Sequence, residues 1–321
     1  RLAGTHREND IVPVDPVEAP LSLSGHIADL RARAANPDDP VDAQLAATLL
    51  ALMAREHVLS AQPQRWLGAG GTPTTDAEYT GDLTLSPSQF ERALACPLRW
   101  FLTTIGADSP SNAAASLGTL IHAVAEEHPH GSADELEAAL EERIEELGYN
   151  LDTWAGRVAD RHARDIVNNL ASYLEGIPGP VEVEQAVSAQ VEGVTIRGRM
   201  DRLEHVDEGV RVTDLKTGKS GYSAKNVPDN PQLAAYQMAL LASGERVAGA
   251  RIALLGDDKP KFFDQPRLEG QALEAWRDKI RAVAADARGP YFEARPSDAA
   301  CAYCSFDRLC PARERGHKVV E

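Results

Sequence analysis

The sequence predicts an α/β protein: a small mixed sheet flanked by helices, entered through a helical lead-in. Three observations predict it. Helical periodicity dominates the first half of the chain. Three β-branched segments then follow one another, Val181–Gln190, Val194–Glu204 and Val210–Lys216, separated by the polar breaks Glu192-Gly193 and Asp207-Glu208-Gly209. A helix, a strand and a long amphipathic helix come after them, and that order describes an α/β sandwich.

Taken in order, residues 1–20 are rich in proline and read as extended. Ile27–Ala35 and Val41–Glu56 have helical periodicity, with Leu45, Leu49, Leu52 and Met53 on one stripe. Gly68–Thr75 (GAGGTPTT) is a linker by composition. The next unit is expected near Asp82, which divides the chain into a lead-in of residues 1–80 and a domain of residues 81–321. Ser86 opens a helix running to about Cys96: Pro87 fits the first helical position and Gln89 completes a capping box. Thr119–Glu127, Ala133–Leu147 and Thr153–Leu174 read as further helices. Beyond the three strands come a helix at Pro231–Ala242, a strand at Val247–Leu255 and a helix at Leu268–Arg288. No internal repeat is visible.

No apolar run approaches the ~20 residues of a membrane helix, and no secretion signal opens the chain. A cytoplasmic protein is expected. The first residue is Arg1, which suggests a piece of a longer polypeptide or a processed product. The net charge is -16, from 33 basic and 49 acidic residues, and as an average this argues against nucleic acid. The distribution is uneven, however. Residues 81–180 hold 6 basic and 16 acidic residues, much of the excess in the helix Ala133–Leu147, whereas residues 181–321 hold 21 and 22. Between Arg197 and Lys225 the basic residues lead by 7 to 5. The pattern predicts a narrow basic path on an acidic body.

That path contains the most informative residues. In a strand, positions two apart share a face, so Asp214 and Lys216 point one way and Leu215 the other. A hairpin brings Asp201 beside Asp214. Adjacent carboxylates repel one another unless a hard divalent cation joins them. A lysine beside them suits orientation of water next to a phosphate, and the set matches metal-assisted phosphodiester hydrolysis. An Asp-x-Lys alone is more often a charged surface hairpin. Gln232 and Tyr236, four apart on the next helix, and His122 upstream raise the odds.

The segments GTLIHAVAE, GRMDRLE, TDLKTGK and QLAAY occur in the order and approximate spacing of the RecB-like branch of the PD-(D/E)XK nucleases, and residues 83–312 resemble that family. The resemblance implies its restriction-endonuclease-like core. It implies His122, Asp201 and Asp214 as ligands of one or two Mg²⁺ or Mn²⁺, helped by the Leu215 carbonyl. Lys216 becomes the catalytic lysine, with Gln232 and Tyr236 near the scissile phosphate, and the products are a 5′-phosphate and a 3′-hydroxyl. Glu184 is weighed evenly as a further member of the site.

The four cysteines are Cys96, Cys301, Cys304 and Cys310. The last three form C-x2-C-x5-C. Four thiolates suit Zn²⁺ or an iron–sulfur cluster, and spacing does not separate the two. An upstream Cys in SPSQFERALACPLRWFL with a C-terminal triplet resembles the iron staple of AddB-type and Adn-type helicase–nucleases, shared by Cas4-like exonucleases. The resemblance implies a [4Fe–4S] cluster that ties the Cys96 helix to the C-terminal tail. The lead-in resembles the segment that joins a helicase motor to its nuclease in Adn-type enzymes. No Walker A motif is present, and Gly218-Lys219-Ser220 reads as a loop. The resemblance thus implies the nuclease module of a helicase–nuclease in double-strand-break processing, acting on single-stranded DNA beside a motor in the same polypeptide and a second subunit. A free-standing Cas4-like exonuclease and a non-catalytic DNA-binding module of the same fold are the alternatives.

Overall fold

The computed structural model describes residues 22–63, 78–107, 113–177, 179–219, 221–302, 304–307 and 309–313, without the side chains of 113–116, 145, 146 and 299. The proline-rich stretch 1–20, the Gly68–Thr75 linker and Ser220 lie outside these residues. The chain divides into two units, Arg1–Thr75 and Asp76–Glu321.

In the first unit Ser22 caps α1 (Leu23–Ala34), accepting from the Gly25 N–H. Asp39 caps α2 (Pro40–Arg55) in the same way, with Pro40 at the first turn. Arg33 donates 2.8 Å to Asp42 and joins the two helices. Their core is Ile27, Leu30, Ala46, Leu50 and Ala61. The expected stripe is corrected here. Leu45, Leu49 and Leu52 face outward, and α2 buries Ala46 and Leu50 with Met53 beside them. The helix is apolar on both sides, so periodicity alone could not choose the buried face.

The second unit opens with a short strand, β1 (Leu83–Leu85), and α3 (Pro87–Ala95), where the capping box between Ser86 and Gln89 forms as the sequence implies. Pro97 stops this helix, because the residue before a proline is driven out of the helical region. Cys96 accordingly has φ -162 and ψ 105, and α4 (Pro97–Thr104) starts anew. Then come α5 (Ala113–Glu127), longer than expected, and α6 (Ala133–Arg143), whose last expected residues form a 3-10 turn at Ile144–Leu147. The long α7 (Trp154–Glu175) completes the helical half.

Three strands follow as expected: β2 (Val181–Val191), β3 (Val194–Val206) and β4 (Gly209–Lys216). Glu192 and Gly193 both have positive φ, as a two-residue hairpin turn requires, and glycine accepts that conformation without steric cost. After α8 (Pro231–Ala242) come β5 (Val247–Leu254), the edge strand β6 (Lys261–Pro266), α9 (Gly270–Ala287) and the single turn α10 (Asp298–Cys301).

All six strands form one mixed sheet. β2 covers one edge of β3, while β1, parallel, and β4, antiparallel, share the other edge end to end. β4 pairs parallel with β5, and β6 closes the far side. One face packs Ile196, Met200, Val212 and Ile252 against Phe90 of α3, Leu233 of α8 and Trp276 of α9. The other packs Leu215 and Ala253 against Ile121, Leu140, Ile166 and Leu170 from α5, α6 and α7. Among the described residues no helix is long and apolar enough to cross a membrane.

Candidate active site

The site forms where β3 changes faces. Met200 and Leu203 enter the same core, so the strict alternation of a strand fails between them. Arg202 and Glu204 are buried instead against Tyr173 of α7. Asp201 sits at the reversal. Across the ladder, between the pairs Val183–Arg202 and Gln185–Met200, stands Glu184, whose φ of +48 lies in the left-handed region. A non-glycine residue there is strained by about 1 kcal/mol or more, and such strain is commonly held at functional positions.

The reversal aims Asp201 at α5. His122 Nδ1 lies 3.4 Å from Asp201 Oδ1, and Asp201 Oδ2 accepts the Leu215 N–H at 2.7 Å. His122, Glu184 and Asp201 each offer a ligand atom, all within 4.8 Å of one another. His122 and Glu184 border an open cleft of about 450 Å³, lined also by Gly118, Thr119, Ala123 and Glu126. α5 can approach because Gly118 has no side chain: a Cβ there would lie 3.2 Å from Thr217 Oγ1, in the loop that follows β4.

The electrostatics of the trio suit a candidate cation site. Burial, then the Asp201 and Glu126 carboxylates, push the Glu184 carboxyl up. Burial pulls His122 down, but its hydrogen bond to Asp201 and the charges of Asp201 and Asp214 outweigh this and leave it above its ordinary value. Two crowded carboxylates and an imidazole form a hard, mostly anionic donor set, and a divalent cation relieves their repulsion. These residues can hold a metal ion.

Asp214 has different partners. It is buried, accepts from Gln232 Nε2 at 2.7 Å through Oδ1, and has Lys216 Nζ 2.7 Å from Oδ2. The ammonium is the ion-pair partner of that oxygen, and Gln232 holds the other. Burial pushes Asp214 up to about 6, against the pull of Lys216. Lys216 also donates to Gln232 Oε1 at 3.3 Å, so one glutamine amide fixes both ends of the Asp–Lys pair. Tyr236, one turn along α8, donates 2.7 Å to the Arg199 carbonyl and braces β3 beside Asp201. Asp201, Asp214, Lys216, Gln232 and Tyr236 thus gather around the β3–β4 junction, with His122 arriving from α5. Of the four residues expected to ligate metal, His122 and Asp201 stand in the compact trio, Asp214 stands beside it, and Leu215 contributes its N–H.

Two neighbours of Lys216 escape sequence reasoning. Glu91 of α3 and Tyr222, in the loop after β4, both feel its charge. No motif marks either one. Glu126 did carry a signal, since it lies four residues after His122 and therefore on the same helical face.

The cysteines lie elsewhere in the unit. All four are free and partly buried. Two hydrogen bonds join their segments: Arg99 Nη1 donates 2.9 Å to the Ala300 carbonyl, and the Leu98 N–H 3.2 Å to the Glu293 carbonyl. Cys96 therefore starts a helix that is bonded to the turn ending in Cys301. Among the described residues no three of the four sulfurs gather within the 4.8 Å that unites His122, Glu184 and Asp201.

Residues 84–311 match the family model described as the PD-(D/E)XK nuclease superfamily. No protein of curated function is similar to the chain in sequence. Among solved structures the chain is similar to SSO0001, at 16% identity over 84% of this chain and 97% of that one, with a TM-score of 0.37. It is also similar to a candidate exonuclease from Eubacterium rectale, at 13% identity over 71% of this chain and 86% of that one, with a TM-score of 0.44.

Proposed function

The chain belongs to the PD-(D/E)XK nuclease superfamily, and from that premise we propose that it is a deoxyribonuclease that hydrolyses single-stranded DNA with Mg²⁺ or Mn²⁺. We place it as the nuclease module of a cytoplasmic helicase–nuclease that resects double-strand-break ends in recombinational repair. The observation that carries the reading is the double set of acids at the β3–β4 junction. Asp201 is grouped with His122 and Glu184, and Asp214 is locked to Lys216 and Gln232.

Bound by these acids, a divalent cation supplies positive charge to the phosphate and lowers the pKa of water. His122, Glu184 and Asp201 would hold that cation, with the Asp214 carboxylate on the adjoining strand as a further candidate ligand. Lys216 orients the attacking water and offsets the charge that develops on the phosphate. Gln232 holds the ammonium in place against Asp214. Tyr236 acts at one remove, through the backbone of Arg199.

The proposal includes a [4Fe–4S] cluster on Cys96, Cys301, Cys304 and Cys310. An all-thiolate donor set and the bonded α4–α10 segments support it. A motor in the same polypeptide and a second helicase–nuclease subunit complete the proposed assembly, and the helical lead-in supports the former.

The test is Mg²⁺-dependent cleavage of single-stranded DNA by the protein and by Asp214→Ala. Cleavage by the first alone is expected. Equal cleavage by both, or none by either once metal is supplied, would sink the reading in favour of a non-catalytic DNA-binding module.

A further inference from the structure

α7 outruns the sheet it packs on. Its Asn169 side chain donates 2.8 Å to the carbonyls of Leu255 and Asp257, at the end of β5 beside Lys216. Back from there to Trp154 is about 22 Å of helix at 1.5 Å per residue. The first half of α7 therefore runs on beyond the C-terminal ends of β4 and β5, the end of the sheet where Asp214 and Lys216 lie. His162, midway along, feels the charge of Lys219 in the loop that leaves Lys216.

Trp154 heads this overhang with 75% of its surface exposed, although its mount is rigid. Asn150 accepts the Asp152 N–H at 3.0 Å and the Thr153 hydroxyl at 2.7 Å. Thr153 caps the helix through the Gly156 N–H, and Arg157 donates 3.0 Å to each of the Leu151 and Asp152 carbonyls. A Cβ on Gly156 would fall 1.9 Å from the Asn150 carbonyl oxygen, so the turn admits only glycine there. A tightly built turn thus presents an indole to solvent. Val158 and Arg161 continue the exposed stripe at helical spacing, opposite the buried Ala163, Ile166 and Leu170. Arg157, Arg161 and Lys219 are the exposed cations near it. The exposed acids are Asp152 and Asp165, together with Glu137 and Glu141 of α6, which pair with Arg164 as Asp160 does.

We propose that Trp154 is a base-stacking platform, flanked by Arg157, Arg161 and Lys219, that holds single-stranded DNA a few nucleotides from the reacting phosphate. An exposed ring with guanidinium groups beside it meets both parts of a nucleotide, the π-face of the base and the phosphate. The overhang carries it beyond the strand end where hydrolysis is proposed. The inference rests on the nuclease reading above.

The test compares wild type, Trp154→Ala, Trp154→Phe and Arg161→Ala. Binding of fluorescein-labelled oligothymidylate is measured by anisotropy in EDTA, and Mg²⁺-dependent cleavage is measured on a long oligonucleotide and on a trinucleotide. One stacked base is worth ~1–3 kcal/mol, so Trp154→Ala is expected to weaken binding roughly 5- to 150-fold. Trp154→Phe should retain most of it, and Arg161→Ala should lower the salt dependence. Trinucleotide cleavage should stay at the wild-type rate, because so short a strand does not reach the platform. Binding by Trp154→Ala within about twofold of wild type, or equal loss on both substrates, would overturn the proposal. Unchanged DNA binding with an altered oligomeric state would reassign the patch to protein docking. Absence of cleavage by wild type would strike the nuclease reading, while the binding comparison still decides whether Trp154 stacks a base.

Discussion

Glu184 faces Asp201 across the β2–β3 ladder, and the two carboxylates with His122 offer ligand atoms within 4.8 Å of one another. The left-handed backbone of Glu184 coincides with the point where β3 changes faces. The strain and the acid cluster are therefore one feature.

Glu184→Gln is expected to keep the fold and weaken Mn²⁺ binding by about tenfold or more, read by calorimetric titration; loss of even an outer-shell partner of a metal ligand commonly costs as much. Glu184→Gly separates strain from ligation. Glycine adopts φ +48 freely, so this variant should lose the metal without losing thermal stability. Unaltered Mn²⁺ affinity in both variants would remove Glu184 from the site.

The Asp214–Lys216–Gln232 triangle predicts a graded series. Lys216→Ala removes the group that offsets transition-state charge and should lower kcat by roughly 10²–10³, with little change in KM. Gln232→Ala leaves both polar groups in place but unfastened, and should cost less, on the order of tenfold in kcat. A larger loss in KM than in kcat for Lys216→Ala would assign the lysine to substrate binding instead.

Much of this site was legible in the sequence because its residues carry period and spacing. Asp214 and Lys216 share a strand face, Gln232 and Tyr236 share a helix face, and a hairpin signal places Asp201 beside Asp214. Glu184 was harder to place. A regular strand puts it on the face opposite Val183 and Gln185, but its left-handed φ is a tertiary property with no local signature. Glu91 and Tyr222 reach Lys216 only through the packing of α3 and a loop. The missed strands fail for a related reason. β1 has three residues, too few to show alternation, and edge strand β6 exposes most of its side chains, including Phe262. In α2 the apolar stripe was visible, but apolar residues on the other side supplied the buried face.

Glu91 gives a pH prediction away from the proposed ligands. Burial holds its carboxyl above the ordinary value of 4.5, against the pull of Lys216 and Arg92. The folded state therefore binds this proton more tightly than the unfolded state does. Its contribution to stability is fully present below pH 4.5 and is lost as pH rises through the raised value. Glu91→Gln keeps the shape and abolishes the titration. Its Tm should exceed that of wild type by a few degrees at pH 7, and the gap should close on acidification. A gap of the same size at low and neutral pH would mean that the glutamine acts through packing.

The proposed cysteine staple would close the chain from Cys96 to Cys301, so its loss should be felt far from the thiols. In the proposed cluster, Cys304→Ala removes one ligand, and the protein should lose its visible absorbance together with iron and acid-labile sulfide. The freed C-terminal segment would keep its local ties, among them the Arg99–Ala300 and Leu98–Glu293 bonds and the packing of Phe292 on Trp100 and Phe101. Two hydrogen bonds contribute only about 1–3 kcal/mol together, whereas closing a loop of this length offsets a larger chain entropy. Cys304→Ala should therefore unfold at markedly lower temperature, with Arg99→Ala shifting Tm by only a few degrees. A colourless wild-type protein containing one zinc would replace the cluster with a zinc staple. A stable, active Cys304→Ala protein would show that the four thiols share no structural metal at all.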